Sequence, residues 1–453
     1  MGVDGLYKFI NKNFPDIYKS VSINDIRGKT CIIDGMQHIY SQLIYMRSRN
    51  KEIITPCGIN ISHIHGLLNS LTYYLKNGII PIFIFDGKSP EIKRKKVEER
   101  KQILKYNLKR LKELEDTQKT LTEILNMKII ENETIDDYLY NDEYDIDSEI
   151  ENDVYSRSYE TYNFEEEMQK INDINEEYKK IYKKSIILKD YYVKDWIQIL
   201  ELLGLIVIKA EGEADPLCAY VLKNNSNIYG IISDDSDMLI FGAPLLMRKA
   251  INQHFTVIEL SLLLEKIGNL LSVEFELDNL IDFALILGTD YGIFTLTIEE
   301  SDSYKILKYY VENGKEYKKL IIEEEHEYFE LIKSYYKTVS FSNKYDYLLE
   351  KPTWNKPRLL DLKRRLLELK VDEDYIDKNN EIFDLYYNKI KKNKINKYKK
   401  QYYEFDYEYY KNNLINNTNN IIIYPNENGT NDSIIDDSLY RVKTYEEIFK
   451  LES

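Results

Sequence analysis

Ile79-Ile80-Pro81-Ile82-Phe83-Ile84-Phe85-Asp86-Gly87 is an apolar run that stops at a carboxylate and a glycine. A run without polar alternation suits a strand covered on both faces, as inside a parallel sheet. Upstream, Thr30-Cys31-Ile32-Ile33-Asp34-Gly35 has the same form. Between them, His65 to Leu75 carries apolar residues at helical spacing, so two strands are joined by a helical crossover. The alternation resumes downstream. A helix is expected over Trp196–Leu203, closed by Gly204, then a strand over Leu205–Lys209, a helix over Glu213–Leu222, a strand over Ile228–Ser233 and a helix over Leu277–Gly288 ending at Thr289-Asp290. Such alternation predicts an α/β fold, with a mostly parallel central sheet and flanking helices. Ligands of these sheets bind beyond the carboxyl ends of the strands, which is where Asp34 and Asp86 fall.

The rest of the chain divides by composition. Residues 1–110 form the first α/β region with the start of a long charged helix, expected over Ser89–Leu125. Residues 111–189 hold the remainder of that helix and an acidic stretch, Glu131–Glu167, with 15 acidic residues against one Arg. It lacks periodicity and reads as a flexible insertion. Residues 190–390 hold the second α/β region and further helices, and 391–453 form a basic and then Asn-rich tail. The net charge of −15 resides almost wholly in the acidic stretch. Lys88–Arg110, with ten Lys or Arg against three Glu, and Lys389–Lys400, with seven Lys and no acid, are basic enough to meet phosphate. A hydrophobic content of 43% supports a substantial core. Cys31, Cys57 and Cys218 are far apart and odd in number, which gives no disulfide framework and predicts a reducing, intracellular compartment. No apolar stretch is long enough to span a membrane. The first residues lack a signal-peptide pattern, and Leu6 breaks the myristoylation pattern that Gly2 could begin.

Seven carboxylates, Asp34, Asp86, Glu213, Asp215, Asp235, Asp237 and Asp290, occupy expected strand ends and loop starts. Any one of them alone is ordinarily a helix cap or turn residue; the set carries the signal. Clustered acids need positive charge to compensate them. Oxygen donors without His or Cys suit Mg²⁺, or Mn²⁺, rather than zinc. Two such ions about 3.5–4 Å apart can stabilise the attacking and leaving oxygens of a phosphoryl displacement. Lys93 and Arg100 lie seven positions apart with Lys96 between, so a helix sets them on one face. They form either a phosphate clamp or a solvated charged face.

Six motifs in order carry a resemblance to the XPG/flap endonuclease family: Met1-Gly2-Val3-Asp4-Gly5-Leu6; Ile33-Asp34-Gly35-Met36 followed by Tyr40; Phe85-Asp86-Gly87-Lys88-Ser89-Pro90; Glu213-Ala214-Asp215 with Cys218-Ala219; Ser233-Asp234-Asp235-Ser236-Asp237 with Phe241-Gly242; and Leu287-Gly288-Thr289-Asp290-Tyr291. The resemblance covers about 1–110 and 190–390. It implies a PIN-like 5′-nuclease fold with a helical arch over the active site, two Mg²⁺ ions (Mn²⁺ as the alternative) held by the seven carboxylates, and Lys93 and Arg100 as catalytic residues. It also implies DNA contacts at Gly2, Tyr40, Arg47, Lys88 and Lys96. The implied substrate is DNA with a 5′ flap or a single-strand/duplex junction, met by a monomer in the nucleus or at a site of viral or cytoplasmic DNA replication. A 5′–3′ exonuclease, or a non-catalytic nucleic-acid-binding relative, is the competing reading. The pattern departs from the family at Thr297-Ile298-Glu299-Glu300, where relatives carry a Gly-x-Gly-Pro turn that grips duplex phosphates, often with K⁺. Glutamates repel phosphate and crowd the approach that glycine permits. Tyr445-Glu446-Glu447-Ile448-Phe449 is a poor substitute for a sliding-clamp box.

Overall fold

The structure, a computed structural model, describes residues 2–49, 51–141, 164–251, 253–338, 341, 345, 348, 350 and 352–396. Its centre is a seven-stranded sheet of β1 (Lys19–Ser22), β2 (Thr30–Asp34), β3 (Ile80–Phe85), β4 (Ile206–Lys209), β5 (Ile228–Ile232), β6 (Leu245–Ile251) and β7 (His254–Glu259), in the order β1-β7-β6-β5-β2-β3-β4. Strands β4, β3, β2, β5 and β6 are mutually parallel; β7 alone runs against its neighbours. The mostly parallel sheet expected from the alternation is therefore present. The β6–β7 hairpin and β1 were not foreseen. Their turn carries Gln253 at φ 63° and has no Asn-Gly or Gly-Gly dipeptide to announce it.

The helices are α1 (Leu6–Asn13), α2 (Gly35–Ser48), α3 (Ser62–Lys76), α4 (Arg94–Asn141), α5 (Phe164–Lys184), α6 (Asp190–Leu202), α7 (Ala214–Asn224), α8 (Asp237–Ile240), α9 (Leu260–Leu271), α10 (Leu277–Leu287), α11 (Ser303–Glu312), α12 (His326–Thr338), α13 (Leu359–Glu368) and α14 (Glu373–Asn396). Alternate residues of each central strand feed opposite cores. Ile32, Ile82 and Ile84 join α1, α7 and α10 on one face; Ile33, Phe83 and Phe85 join α2, α3 and α6 on the other. Phe83 and Phe85 are fully buried, each contributing roughly 1.5–3 kcal/mol of transfer free energy. Trp354 is buried, its indole N–H donating to the Leu203 carbonyl at 2.7 Å.

The charged helix departs from expectation at both ends. It begins as a single 3-10 turn, Glu91–Lys93, before α4 starts at Arg94. It then runs 48 residues to Asn141, about 70 Å at 1.5 Å per residue. The stretch read as a flexible insertion is thus helical over 131–141, and α5 already starts at Phe164; residues 142–163 lie outside the described residues, as does the tail beyond Asn396. Helix α5 returns along α4. Leu111 and Leu114 are buried, and Arg110 makes a two-pronged bond to Glu177 at 2.9 and 3.1 Å. Among the described residues no helix is long and apolar enough to cross a membrane.

Candidate metal and phosphate site

Each expected carboxylate is placed by backbone geometry that its neighbours dictate. Asp34 ends β2 and caps α2, accepting from the Gln37 N–H at 3.1 Å. Asp86 follows β3 and accepts from the Ala214 N–H at 2.7 Å, so it caps α7 across the gap between strands. This cap requires the Asp86 loop to lie on the loop before α7. Gly87 N–H donates to the Gly212 carbonyl at 2.6 Å and Lys88 N–H to that of Glu211 at 2.9 Å. A Cβ on Gly87 would stand 2.0 Å from the Ala210 oxygen, so only glycine permits the approach. In the same loop Glu211 is exposed, while Glu213 and Asp215 are buried.

The second acidic box is knotted to itself. Asp235 N–H donates to Ser233 Oγ at 3.1 Å, Asp237 N–H to Asp235 Oδ1 at 3.0 Å, and Ser233 Oγ–H reaches Asp34 at 3.5 Å. Gly2 lies against this knot with φ +89°, where a Cβ would come within 2.3 Å of Asp235 Oδ1. Val3 N–H donates to Ser236 Oγ at 2.9 Å. Gly2, expected at nucleic acid, therefore has the acidic box as its immediate neighbour. Asp290 closes the cluster, bound by Arg100 at 2.5 Å and by Lys93 at 3.7 Å. Lys93 also bonds Glu213 and lies 5.2 Å from the Tyr291 ring.

The cluster is electrostatically strained. Burial, then Asp86, raises the pKa of Asp34. Burial, then Asp235 and Asp34, raises Asp215 well above the ordinary carboxylate range. Burial lifts Asp86 and Asp235, and burial with Asp235 and Asp290 lifts Asp237 well above it. Repulsion thus links all seven acids into one field. Lys93 is buried too, which opposes its charge, yet Glu213 and Asp215 raise its pKa. Among the described residues, no three His, Cys, Asp or Glu side chains are drawn around a common point at ligand distance. What marks the cluster as a cation site is its uncompensated charge. Neither oxygen of Asp237 meets a donor among the described residues, and that residue is 1% exposed. Seven hard oxygen donors with two orphaned lone-pair sites fit a hard divalent cation.

The expected DNA contacts fare unequally. Lys88 is exposed and Lys96 half-buried, with Glu99 at 3.7 Å. Tyr40 is half-buried and packs on the core holding Ile33 and Phe83. Arg47 is engaged within the protein. It donates to the Tyr182 and Ser185 carbonyls at 2.9 Å each, pairs with Glu52 at 3.3 Å and covers the Tyr182 ring at 4.2 Å. Its donors fasten α5 to α2 rather than facing phosphate. Two residues were missed, Tyr291 as a Glu213 partner and Tyr335 of α12, whose hydroxyls both donate to Glu213. Tyr291 stood inside a quoted motif, but nothing in the spacing marked Tyr335.

The stretch in place of the Gly-x-Gly-Pro turn is closed on its own side chains. Glu300 accepts from the N–H groups of Ser301 and Asp302, both at 2.9 Å, and pairs with Lys305 at 3.1 Å. Asp302 caps α11 by accepting from Tyr304 and Lys305 N–H at 3.0 and 3.3 Å, and holds Lys12 at 2.5 Å.

Sequence profiles bracket this geometry. The XPG N-terminal domain matches residues 1–107 and the XPG I-region matches 204–290, which together contain all seven carboxylates and both cations. Over these two regions the chain resembles the XPG/flap endonuclease family. Flap endonuclease 1 of Theileria parva is 25% identical over 312 residues, covering 68% of this chain and 51% of the relative. Flap endonuclease 1-B of Oryza sativa subsp. indica is 27% identical over 297 residues, covering 64% and 57%. The chain thus spans about half the length of the curated relatives it matches. The solved structure of flap endonuclease-1 from Methanococcus jannaschii superposes with a TM-score of 0.52 at 20% identity, covering 82% of this chain and 96% of that one. At that identity the likeness speaks for the XPG-family nuclease fold.

Proposed function

We propose that this chain is a divalent-metal-dependent nuclease that hydrolyses DNA phosphodiester bonds at 5′ flaps or single-strand/duplex junctions. The carrying observation is one field of seven acids, six of them buried and Asp86 half-buried, spanned from the base of the α4 arch by two cations, Lys93 and Arg100. Acids alone would bind metal; acids with interleaved cations can receive a metal-associated phosphate.

Asp34, Asp86, Glu213, Asp215, Asp235, Asp237 and Asp290 would hold two Mg²⁺ ions, with Mn²⁺ as a substitute. Bound there, such ions lower the pKa of water and offset charge on the leaving oxygen. The chain's own residues do the rest. Lys93 and Arg100 turn from Glu213 and Asp290 to the non-bridging phosphate oxygens and stabilise charge that grows as water adds to phosphorus. The bond from phosphorus to the 3′ oxygen breaks, the attacking water gives up a proton to solvent and the leaving 3′ oxygen takes one from it, so the products are a 5′ phosphate and a 3′ hydroxyl. Lys88 and Lys96 meet neighbouring phosphates, and Tyr40 offers a ring edge to a base. Arg47 has no part in this reading, and neither has the turn at 297–300. The chain acts as a monomer.

A 5′-flap duplex labelled at either end, incubated with the purified protein in Mg²⁺ and then in EDTA, tests the reading. One Mg²⁺-dependent cut near the junction is expected. Stepwise release of mononucleotides would favour the exonuclease, and an intact substrate at all Mg²⁺ concentrations would leave only the binding relative.

A further inference from the structure

Glu213 has no help from its own helix. It stands at the N-cap of α7, yet its side chain makes no capping bond there. Its orientation therefore depends on long-range partners. Oε1 takes the Lys93 ammonium, while Oε2 takes two phenol hydroxyls, that of Tyr291 and that of Tyr335 at 3.3 Å. The two partnerships differ in kind. A lysine is mobile and charged, and a phosphate competes for it. A phenol on a packed ring is fixed and neutral, so it orients a carboxylate without cancelling the charge a cation needs. Both rings are fixed. Tyr291 is buried, lies 5.2 Å from the Tyr335 ring, and carries Lys93 over its face. Tyr335 also packs edge-on to Phe241 at 6.0 Å. Helix α12 is docked a second time, through Tyr328 O–H donating to the Tyr291 carbonyl at 2.7 Å and, more weakly, to that of Ile92 at 3.3 Å. This helix lies beyond residue 290, where the family profile ends.

We infer that Tyr335, acting with Tyr291, is a positioning residue that keeps Glu213 aimed into the metal site when Lys93 leaves it for a phosphate. The inference rests on the reading of Glu213 as a cation ligand. Without the hydroxyls, release of Lys93 would free Glu213 to rotate, and the cost would appear as weaker cation binding rather than a slower reaction at saturating cation.

The test is Tyr335→Phe, which keeps the ring, beside Lys337→Ala, which removes the ion pair of the same helix with Asp278 without touching Glu213. Two quantities are measured in the full-length protein: the rise in melting temperature on titration with MgCl₂, and the Mg²⁺ concentration giving half-maximal cleavage of a flap substrate. Tyr335→Phe should raise both half-saturation points by about 10-fold, the usual cost of losing a partner behind a metal ligand, with cleavage at saturating Mg²⁺ little changed. Lys337→Ala should leave both points at the wild-type value. Unchanged half-saturation in Tyr335→Phe, or an equal shift in Lys337→Ala, overturns the positioning role while the cation site stands. A wild-type protein that gains no stability from Mg²⁺ overturns the cation site, and the positioning role with it.

Discussion

A carboxylate whose oxygens meet no donor is costly to bury, and Asp237 is in that position. Burial, then Asp235 and Asp290, drives its pKa well above the usual range, so its ionised form weighs against folding at neutral pH. Asp237→Asn keeps the shape and removes the charge. In EDTA the variant should be more stable by ~1–3 kcal/mol, the scale of an unsatisfied buried group, as read from urea melts. Its cleavage in Mg²⁺ should fall by at least ~100-fold. A variant less stable than wild type in EDTA would show that the residue is satisfied in a way that charge and burial do not explain. Gly2 belongs to the same logic, because any side chain there would strike Asp235 and disturb an acid that the fold already strains to hold.

The elements divide the basic residues into two kinds. Arg47 ties α5 to α2 through two carbonyls and Glu52, whereas Lys96 lies along α4 one turn before Arg100 with only an i,i+3 partner. Lys96→Ala should therefore lower the slope of log affinity against log salt by about 1, the loss of a single phosphate contact. Arg47→Ala should leave that slope unchanged while costing ~1–3 kcal/mol of stability. Fluorescence anisotropy with a flap duplex at four salt concentrations separates them, and a reduced slope in Arg47→Ala would return it to the DNA contacts. This is also the scale at which the sequence was most unevenly legible. Strand ends at Asp34 and Asp86 were visible because an apolar run stopping at Asp-Gly has few other readings. The β6–β7 hairpin was hidden by Arg248 and Lys249 within the strand and by a turn built on Gln253. Helix over 131–141 and from Phe164 was hidden because crowded acids and tyrosines mask the apolar period, although charge alone does not prevent helix formation. Tyr335 was one tyrosine among 41, and only the folded chain shows which of them reaches Glu213.

Across the whole molecule, the matched regions 1–107 and 204–290 interleave in the sheet, since β2 and β3 of the first lie between β5 and β4 of the second. The C-terminal helices then clasp the α3 side. There His65, nearly buried, stacks on Tyr375 at 4.4 Å. Burial first, with His63 adding and Asp372 opposing, lowers its pKa from 6.5 to about 4. Between those values the unfolded chain binds a proton that the folded chain refuses. The stability contributed by neutral His65 is therefore complete above pH ~6.5 and is lost as pH falls toward ~4. Wild type should lose about 2 kcal/mol at pH 5 through this group. His65→Phe, which keeps the stack, should lack that loss; the difference between their urea melts at pH 7.5 and 5 isolates it from the buried acids, which pull the other way. Equal pH slopes would mean that His65 protonates freely in the folded protein. The closed turn at Glu300 and Asp302 has a consequence at this scale as well. Its amides bond Glu300 and Asp302, and Lys305 and, from α1, Lys12 pair with the same carboxylates, so a phosphate arriving there must displace those bonds and finds a weak second anchor for a long helix of nucleic acid. A molecule gripped at one end pivots and departs readily. Such a protein would work distributively, with one encounter for each event and its pace set by capture rather than by letting go.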